Sequence, residues 1–341
     1  MTGDEHPTSP PVTPQRLMQL AWGYAPPLIV QAAIDVGVFA ALEHGPRTLA
    51  ELTAETGASA RGLRTILDAL VGLDLLRKAE GGRYALAAEA AAFLVPSSAH
   101  YLGGSFRHVS RQLMPGWLRL TESVRSGRPV AAHNGEGAGA AFFSEFVDSL
   151  AVTNGPAAAA LAEHLAPDGA GEGSALDLGA GSGIWGIALA RRMQGLRVTA
   201  LDWPGVLDTT RRIVARNGLT DRFDFVAGDL LGAPLGAGHR YVVIGHVLHS
   251  LGAAASRKLL ARVLAVLRPG GTVAIAEFLV NAGRTGPTQP LLFAVNMLLH
   301  TTEGDTWSFE EIAAWLGEAG FANARPLQVP ALSPLILANR P

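Results

Sequence analysis

The stretch SALDLGAGSGIWGIALARRM, residues 174–193, decides the fold of this 341-residue chain. It begins as an apolar strand, passes through a run of glycines and continues with the apolar spacing of a helix. Downstream, apolar strand-like segments are mostly separated by single helices, which is typical of a parallel sheet covered on both faces. We therefore predict an α/β, Rossmann-like, doubly wound domain over residues 169–341. Ligands of such sheets bind beyond the carboxyl ends of the strands.

The glycine loop taken alone is compatible with two kinds of ligand. Gly181, Gly183 and Gly186 satisfy the dinucleotide pattern G-x-G-x-x-G, whereas Gly179, Gly181 and Gly183 satisfy G-x-G-x-G. Asp177 lies just before the loop, where its carboxylate would repel a pyrophosphate but suit an ammonium group. The residues at the neighbouring strand ends are therefore needed to distinguish between these two kinds of ligand.

Acidic residues at the next two strand ends indicate the other chemical groups of the expected ligand. Asp202 follows Gly183 by 19 residues, a position from which a carboxylate holds two ribose hydroxyls. Asp229 ends the third strand, where it can accept a hydrogen bond from an adenine amine. S-adenosylmethionine has an ammonium group, a ribose and an adenine but no phosphates, and we predict it as the cofactor.

The chain before this domain divides into three parts. Residues 1–14 are polar and proline-rich and lack the features of a signal peptide, so we expect a disordered leader. Residues 15–100 contain two capped helices in PRTLAELTAETGASARGLRTILDALVGLDLL and a hairpin in LLRKAEGGRYAL, which together predict a winged helix. Residues 101–168 have a helical, aromatic-containing sequence, and we expect this linker to contribute to a substrate pocket.

A winged helix raises the hypothesis of DNA binding, but the charge argues against it. Residues 1–100 hold 7 Lys and Arg against 10 Asp and Glu, whereas a DNA-binding face is basic. The net charge of −2 and the polar or proline interruptions of the early apolar segment indicate neither a nucleic-acid nor a membrane partner. The chain has no cysteine, which excludes disulfides and thiolate chemistry. We expect a cytoplasmic protein.

Five motifs in order resemble those of the class I S-adenosylmethionine-dependent methyltransferases: LDLGAGSG, ALDWPG, GDLL, HVLH and LRPGGTVAIAEFLV. With the winged helix in front, the chain from about residue 15 looks like the small-molecule O-methyltransferases of plant caffeate and bacterial polyketide type, whose N-terminal domain dimerises. The resemblance implies a homodimer that methylates a hydroxyl of a small aromatic or polyketide-type metabolite. The implied cofactor-binding set is Asp177, Gly179, Gly181, Gly183, Asp202, Trp203, Asp229, Leu230 and His246.

The resemblance also implies a general base. His249 in LHSLG aligns with the histidine that removes the acceptor proton in the family, and the ordinary pKa of histidine suits this role near neutral pH. The Asp and Trp that often follow this histidine are missing here. Thr306 occupies the place of the acidic residue that orients the base, so we expect the nearby Glu303 or Asp305 to substitute for it.

The acceptor pocket is expected to draw on two segments of the chain. The linker would supply one group of side chains and a later helix, in which residues four apart share a face, would supply another. The predicted substrate-contacting residues are His108, Trp117, Phe143, Asn296, Met297 and His300.

Other functions remain open at this point. His246, His249 and His300 form an alternative facial metal site that would suit C- or N-methylation. The plant O-methyltransferases that the chain resembles also carry a histidine at the position of His300, without a metal. Residues three apart in a strand point to opposite faces, so His246 and His249 would converge only through a turn at Val247–Leu248. A relative that binds the cofactor without transferring a methyl group is a further alternative.

Overall fold

A computed structural model describes residues 12–132 and 147–341 of the chain. Most of the expected leader and Phe143 lie outside the described residues. The chain divides into two compact units, Met1–Phe106 and Arg107–Pro341. Within the described residues, no helix is both long enough and apolar enough to span a membrane.

The first unit is a helical bundle with a small hairpin. Its elements are α1 (Gln15–Ala21), α2 (Ala25–Val36), α3 (Val38–Ala41), α4 (Leu49–Thr56), α5 (Ala60–Gly72), β1 (Leu76–Lys78), β2 (Tyr84–Leu86) and α6 (Ala88–Phe93), and α7 (Gly103–His108) crosses into the second unit. Thr48 and Glu51 form a capping box at the start of α4, and the Ser59 side chain caps α5. Strands β1 and β2 pair antiparallel, which confirms the predicted helix–helix–hairpin arrangement.

The second unit begins with helices. Its first elements are a π-helical turn (Val109–Leu113), α8 (Met114–Trp117), α9 (Leu120–Ser126) and α10 (Val147–Leu165). Thereafter strands alternate with helices: β3 (Glu172–Leu178), α11 (Ile184–Arg192), β4 (Gly195–Asp202), α12 (Pro204–Arg216), β5 (Phe223–Ala227), β6 (His239–Gly245), α13 (Ala253–Val266), β7 (Leu267–Ala276), α14 (Thr288–His300), α15 (Phe309–Ala319), β8 (Ala322–Leu327) and β9 (Leu335–Asn339).

These strands form one seven-stranded sheet in the order β5-β4-β3-β6-β7-β9-β8. Strands β3 to β7 pair in parallel, and β9 runs antiparallel to both β7 and β8. Side chains alternate between the faces, so that Ala175 belongs to one buried cluster and Leu176 to the other. The predicted doubly wound α/β fold is confirmed.

The strand order reverses between β3 and β6, which pair directly with Leu178 opposite Ile244. In open α/β sheets this switch point is where the chain leaves neighbouring strands in opposite directions and opens a crevice. The glycine loop follows β3, and the HVLHS segment follows β6. The fold therefore brings these two segments together at one edge of the sheet.

Candidate active site

The glycine loop after β3 has a backbone conformation that favours glycine over every other residue. Gly179, Gly181 and Gly183 all adopt positive φ, with values of 65°, 52° and 71°. A Cβ atom on Gly179 would lie 2.5 Å from Cγ2 of Val247, so the loop also packs directly against the segment after β6. The missing side chain is thus required both by the turn and by this close approach.

Asp177 is a buried carboxylate at the end of β3, with 1% of its surface exposed. Its Oδ2 accepts a hydrogen bond of 2.9 Å from the backbone N–H of Gly186, at the start of α11. Its Oδ1 is buried and has no hydrogen-bond partner among the described residues. Burial raises the pKa of Asp177 to about 7, an effect that Gly186 opposes and the charge of Asp202 reinforces. A cationic group next to Oδ1 would satisfy this oxygen and favour its ionised form.

Asp202 closes β4 beside the same loop. Its Oδ2 accepts from the backbone N–H of Gly181 at 2.9 Å, and its Oδ1 accepts from Trp203 at 2.7 Å. Burial raises the pKa of Asp202 to about 6, against the lowering effect of these two hydrogen bonds. Each carboxylate oxygen has further acceptor capacity, which suits it to a ligand with vicinal hydroxyls.

Asp229 and Leu230 follow β5, the next strand of the sheet. Asp229 is exposed, and its Oδ1 accepts from the backbone N–H of Leu231 at 2.8 Å. Leu230 is partly buried against one hydrophobic cluster. The three acids predicted from the sequence therefore lie at the carboxyl ends of three adjacent strands, as a ligand stretched across β3, β4 and β5 would require.

The segment after β6 turns sharply, which brings two histidines together. Strand β6 ends at Gly245, His246 has the left-handed φ of 59°, and Leu248–Ser250 form a 3₁₀ turn. The ring centroids of His246 and His249 consequently lie 6.2 Å apart. The turn at Val247–Leu248 that His246 and His249 need in order to converge is present.

His249 is held by an acidic residue that the sequence analysis missed. Its Nδ1 donates to Glu277 Oε2 at 2.7 Å, and its backbone N–H donates to Oε1 of the same carboxylate at 3.2 Å. Glu277 directly follows β7 and is 4% exposed. Although burial by itself raises the pKa of Glu277, the charge and hydrogen bonds of His249 hold that pKa below its ordinary value. Because an ionised carboxylate only accepts, the proton of the neutral imidazole sits on Nδ1, and Nε2 is the nitrogen that can take up another.

In the described structure, the acidic partner of His249 is Glu277, whereas Glu303 or Asp305 was expected. Asp305 instead pairs with Arg284, with 2.9 Å between Oδ2 and the guanidinium, and Glu303 is exposed. The signal for Glu277 in the sequence is a single acid that interrupts the buried apolar strand TVAIAEFLV. Such an acid is rarely buried without a partner.

His246 remains neutral in its surroundings. Burial lowers the pKa of His246 to about 4, and its Nδ1 is buried without a hydrogen-bond partner among the described residues. Its ring lies 4.9 Å from that of Phe278, centroid to centroid. Its expected contact with the cofactor remains a prediction.

The alternative metal set is not brought together as predicted. The residues described include one group with metal-ligand spacing, in which donor atoms of His246, His249 and Glu277 lie within 4.8 Å of one another. His300 is outside this group, and its Nδ1 donates to the backbone carbonyl of Asn296 at 2.8 Å. In the group itself, the hydrogen bond to Glu277 already occupies Nδ1 of His249.

The predicted substrate residues occupy α14 and the helices before the sheet. Trp117 Nε1 donates to Asn296 Oδ1 at 3.2 Å, which joins α8 to α14. Met297 and His300 are buried on α14, and a Cβ on Gly116 would lie 3.2 Å from His300 Nε2. His108 is also buried, with its Nδ1 hydrogen-bonded to Gln112.

Two phenylalanines absent from the prediction pack beside His249. The Phe293 ring stands nearly perpendicular to that of His249, at 85° and 4.9 Å between centroids. Phe278 lies 4.4 Å from Phe293 and 6.1 Å from His249. Phe293 precedes Asn296 and Met297 by three and four residues, so helical spacing contained a signal for it.

Comparison with known proteins agrees with this architecture. The model of an O-methyltransferase domain matches residues 167–322, and that of an O-methyltransferase dimerisation domain matches residues 18–96. The chain is 34% identical to 3-hydroxy-5-methyl-1-naphthoate 3-O-methyltransferase of Streptomyces sahachiroi, over 92% of this chain and 91% of that one. It is 30% identical to the tetracenomycin polyketide synthesis 8-O-methyl transferase of Streptomyces glaucescens, over 96% and 97%.

A solved structure with the same fold is that of human N-acetylserotonin methyltransferase in complex with S-adenosylmethionine. It superimposes with a TM-score of 0.84 at 25% identity and covers 99% of each chain. The similarity thus extends over both units of the chain rather than over the sheet alone.

Proposed function

Because this chain belongs to the family of O-methyltransferases with an N-terminal dimerisation domain, we propose that it methylates a hydroxyl of a small aromatic or polyketide-type metabolite. The observation that carries the proposal is the pair formed by His249 and the buried Glu277, placed at the switch point of the sheet beside the glycine loop. This arrangement suits deprotonation of an acceptor next to a bound methyl donor.

The donor is S-adenosylmethionine, which supplies a methyl group already activated on a sulfonium. The unsatisfied Oδ1 of Asp177 suits its ammonium group, and Asp202 suits its ribose hydroxyls. Gly179, Gly181 and Gly183 have no side chains, so the cofactor can approach their backbone closely. Trp203, Asp229, Leu230 and His246 complete the proposed binding residues.

His249 acts as the general base in this proposal. Glu277 holds the proton on Nδ1, so that Nε2 receives the proton of the acceptor hydroxyl. As His249 becomes positively charged, the Glu277 carboxylate stays hydrogen-bonded to it and stabilises that charge. The bidentate contact of Glu277 with the side chain and backbone of His249 also fixes where the base lies.

The acceptor is expected to be a planar aromatic. Phe278 and Phe293 line the approach to His249, and aromatic rings favour stacked or edge-to-face partners. The relative from Streptomyces sahachiroi is described as methylating a hydroxynaphthoate, which is an acceptor of this kind. Asn296, Met297, His300, Trp117 and His108 are the other proposed pocket residues, and Phe143 lies outside the described residues.

We further propose that the enzyme works as a cytoplasmic homodimer. Residues 18–96 match the dimerisation domain, and α1 buries none of its residues in the described chain. Leu17, Leu20 and Trp22 are large exposed apolar residues there, which a second copy would cover. Sedimentation should give twice the mass of the 35.5 kDa chain, and a monomer would contradict this part of the proposal.

The test of the function is release of S-adenosylhomocysteine from S-adenosylmethionine with a panel of phenolic acceptors. His249→Ala should lower turnover by about two to four decades while calorimetry finds unchanged cofactor binding. His44→Ala, an exposed histidine of the first unit, is the matched control and should behave as wild type. Full activity of the His249 variant would refute the role of His249 as base. Loss of wild-type activity on addition of a chelator would support the metal-dependent alternative.

A further inference from the structure

The Phe293 ring is the closest aromatic neighbour of His249 in the described structure, at 4.9 Å between centroids. It reaches the base from α14, whereas Glu277 reaches it from β7. Two elements that are separate in the sequence therefore hold the same imidazole. The rest of this inference depends on the proposed role of His249 as base.

Glu277 alone leaves one motion of the imidazole open. It holds Nδ1 and the backbone N–H of His249, but Nε2 lies on the far side of the ring. Small combined rotations about the Cα–Cβ and Cβ–Cγ bonds let the ring pivot while Nδ1 stays within hydrogen-bond reach of Oε2. Such a pivot moves Nε2, the atom that takes the proton, out of its position. A reacting group displaced by about 1 Å can lose about a hundredfold in rate.

Phe293 stands where it opposes that pivot. Its plane is at 85° to the imidazole plane, the perpendicular arrangement that aromatic pairs favour. A tilt of the imidazole would close or open this contact. Phe278 packs against Phe293 at 4.4 Å and against His246 at 4.9 Å, so the blocking ring is itself braced from the end of β7.

We propose that Phe293 is a positioning residue for His249, which sets the plane of the imidazole while Glu277 sets its protonated nitrogen. Phe293 is only partly buried and has contacts with both the base and Phe278, so its ring is not merely filling the core. The property that matters is then the flat ring rather than apolar volume. A leucine at position 293 would keep most of the apolar volume but not the flat ring, whereas a tyrosine would keep the ring.

The experiment compares Phe293→Leu, Phe293→Tyr and the control Leu292→Ala in the full-length enzyme. Leu292 is the preceding residue of α14 and is 56% exposed. Phe293→Leu should lower kcat about tenfold to a hundredfold, with a smaller rise in the acceptor KM from loss of ring contact with the acceptor. Phe293→Tyr should restore most of kcat, and Leu292→Ala should match wild type. A rise in acceptor KM at unchanged kcat would overturn the proposal, because Phe293 would then bind the acceptor only.

A double substitution separates this proposal from the proposed function. If Phe293 acts through His249, His249→Ala with Phe293→Leu should be no slower than His249→Ala alone. Multiplying effects would overturn the positioning role. A defective His249→Ala enzyme with a fully active Phe293→Leu enzyme would refute this inference only, whereas a fully active His249→Ala enzyme would refute the base assignment and the inference with it.

Discussion

Replacement of Glu277 by glutamine tests the part of the site that the sequence did not reveal. The carboxylate accepts two N–H groups of His249, one at 2.7 Å from the ring and one at 3.2 Å from the backbone. A carboxamide has only one oxygen that can accept a hydrogen bond. Its NH₂ group would face the other N–H of His249, and two donors cannot bond to each other. Glu277→Gln therefore loses one of the two hydrogen bonds and the negative charge.

The expected magnitude follows from the state that the substitution affects. A hydrogen bond to a charged group contributes about 1.5–3 kcal/mol, and the bond to Glu277 is strongest when His249 carries the acceptor proton. If about 3 kcal/mol is lost in that protonated state and none in the ground state, kcat falls by roughly a hundredfold. Cofactor affinity should hardly change, because Asp177 and Asp202 lie on other strands.

The assay is steady-state release of S-adenosylhomocysteine at saturating donor and acceptor, with cofactor binding measured separately by calorimetry. Glu303→Gln is the matched control, since Glu303 is exposed and was the expected partner of the base. It should retain wild-type kcat. If Glu277→Gln stayed within about threefold of wild type while folded, or if Glu303→Gln were the impaired variant, the assignment of Glu277 would be wrong.

Three further outcomes follow from the cofactor side of the site. Asp202→Asn should weaken S-adenosylmethionine binding at least about tenfold in calorimetry, because its carboxylate is the proposed ribose ligand. The pKa of Asp177, raised by burial to about 7, predicts weaker cofactor binding as pH falls from 8 to 5.5, since protonation removes the charge that faces the ammonium group. Asp177→Asn should remove the part of this dependence near pH 7 and leave the part near pH 6 that belongs to Asp202. Gly179→Ala should destabilise the fold by about 1–3 kcal/mol in denaturant unfolding, and Val247→Ala in the same chain should recover the part due to the 2.5 Å clash but not that due to φ; full stability of the single variant would contradict this.

The sheet and the cofactor loop were predictable because their signals are local. A buried strand, a glycine turn and an apolar helix follow one another within residues 174–193, and the acids Asp177, Asp202 and Asp229 each end a strand. Parallel topology then places their ends at one edge without any knowledge of packing. The capping box of Thr48 and Glu51 was readable for the same reason.

The partners of His249 were not predictable in that way, because they come from distant segments of the chain. Glu277 is 28 residues from His249 in the sequence, and only the pairing of β6 with β7 brings the two together. The family motif instead placed the acidic partner at Thr306 and its neighbours. The left-handed backbone of His246 is equally hidden, since residues other than glycine rarely adopt it.

The division of the site between strands and one helix has a consequence for how such enzymes diversify. The groups proposed for the methyl donor are tied by backbone hydrogen bonds to the ends of β3 and β4, whereas Phe293, Asn296 and His300 project from α14. Exchange of side chains on this helix can therefore change which acceptor is accepted while leaving donor recognition intact. A combinatorial library on α14 that keeps Phe293 is accordingly an economical place to evolve new acceptor specificities from this scaffold.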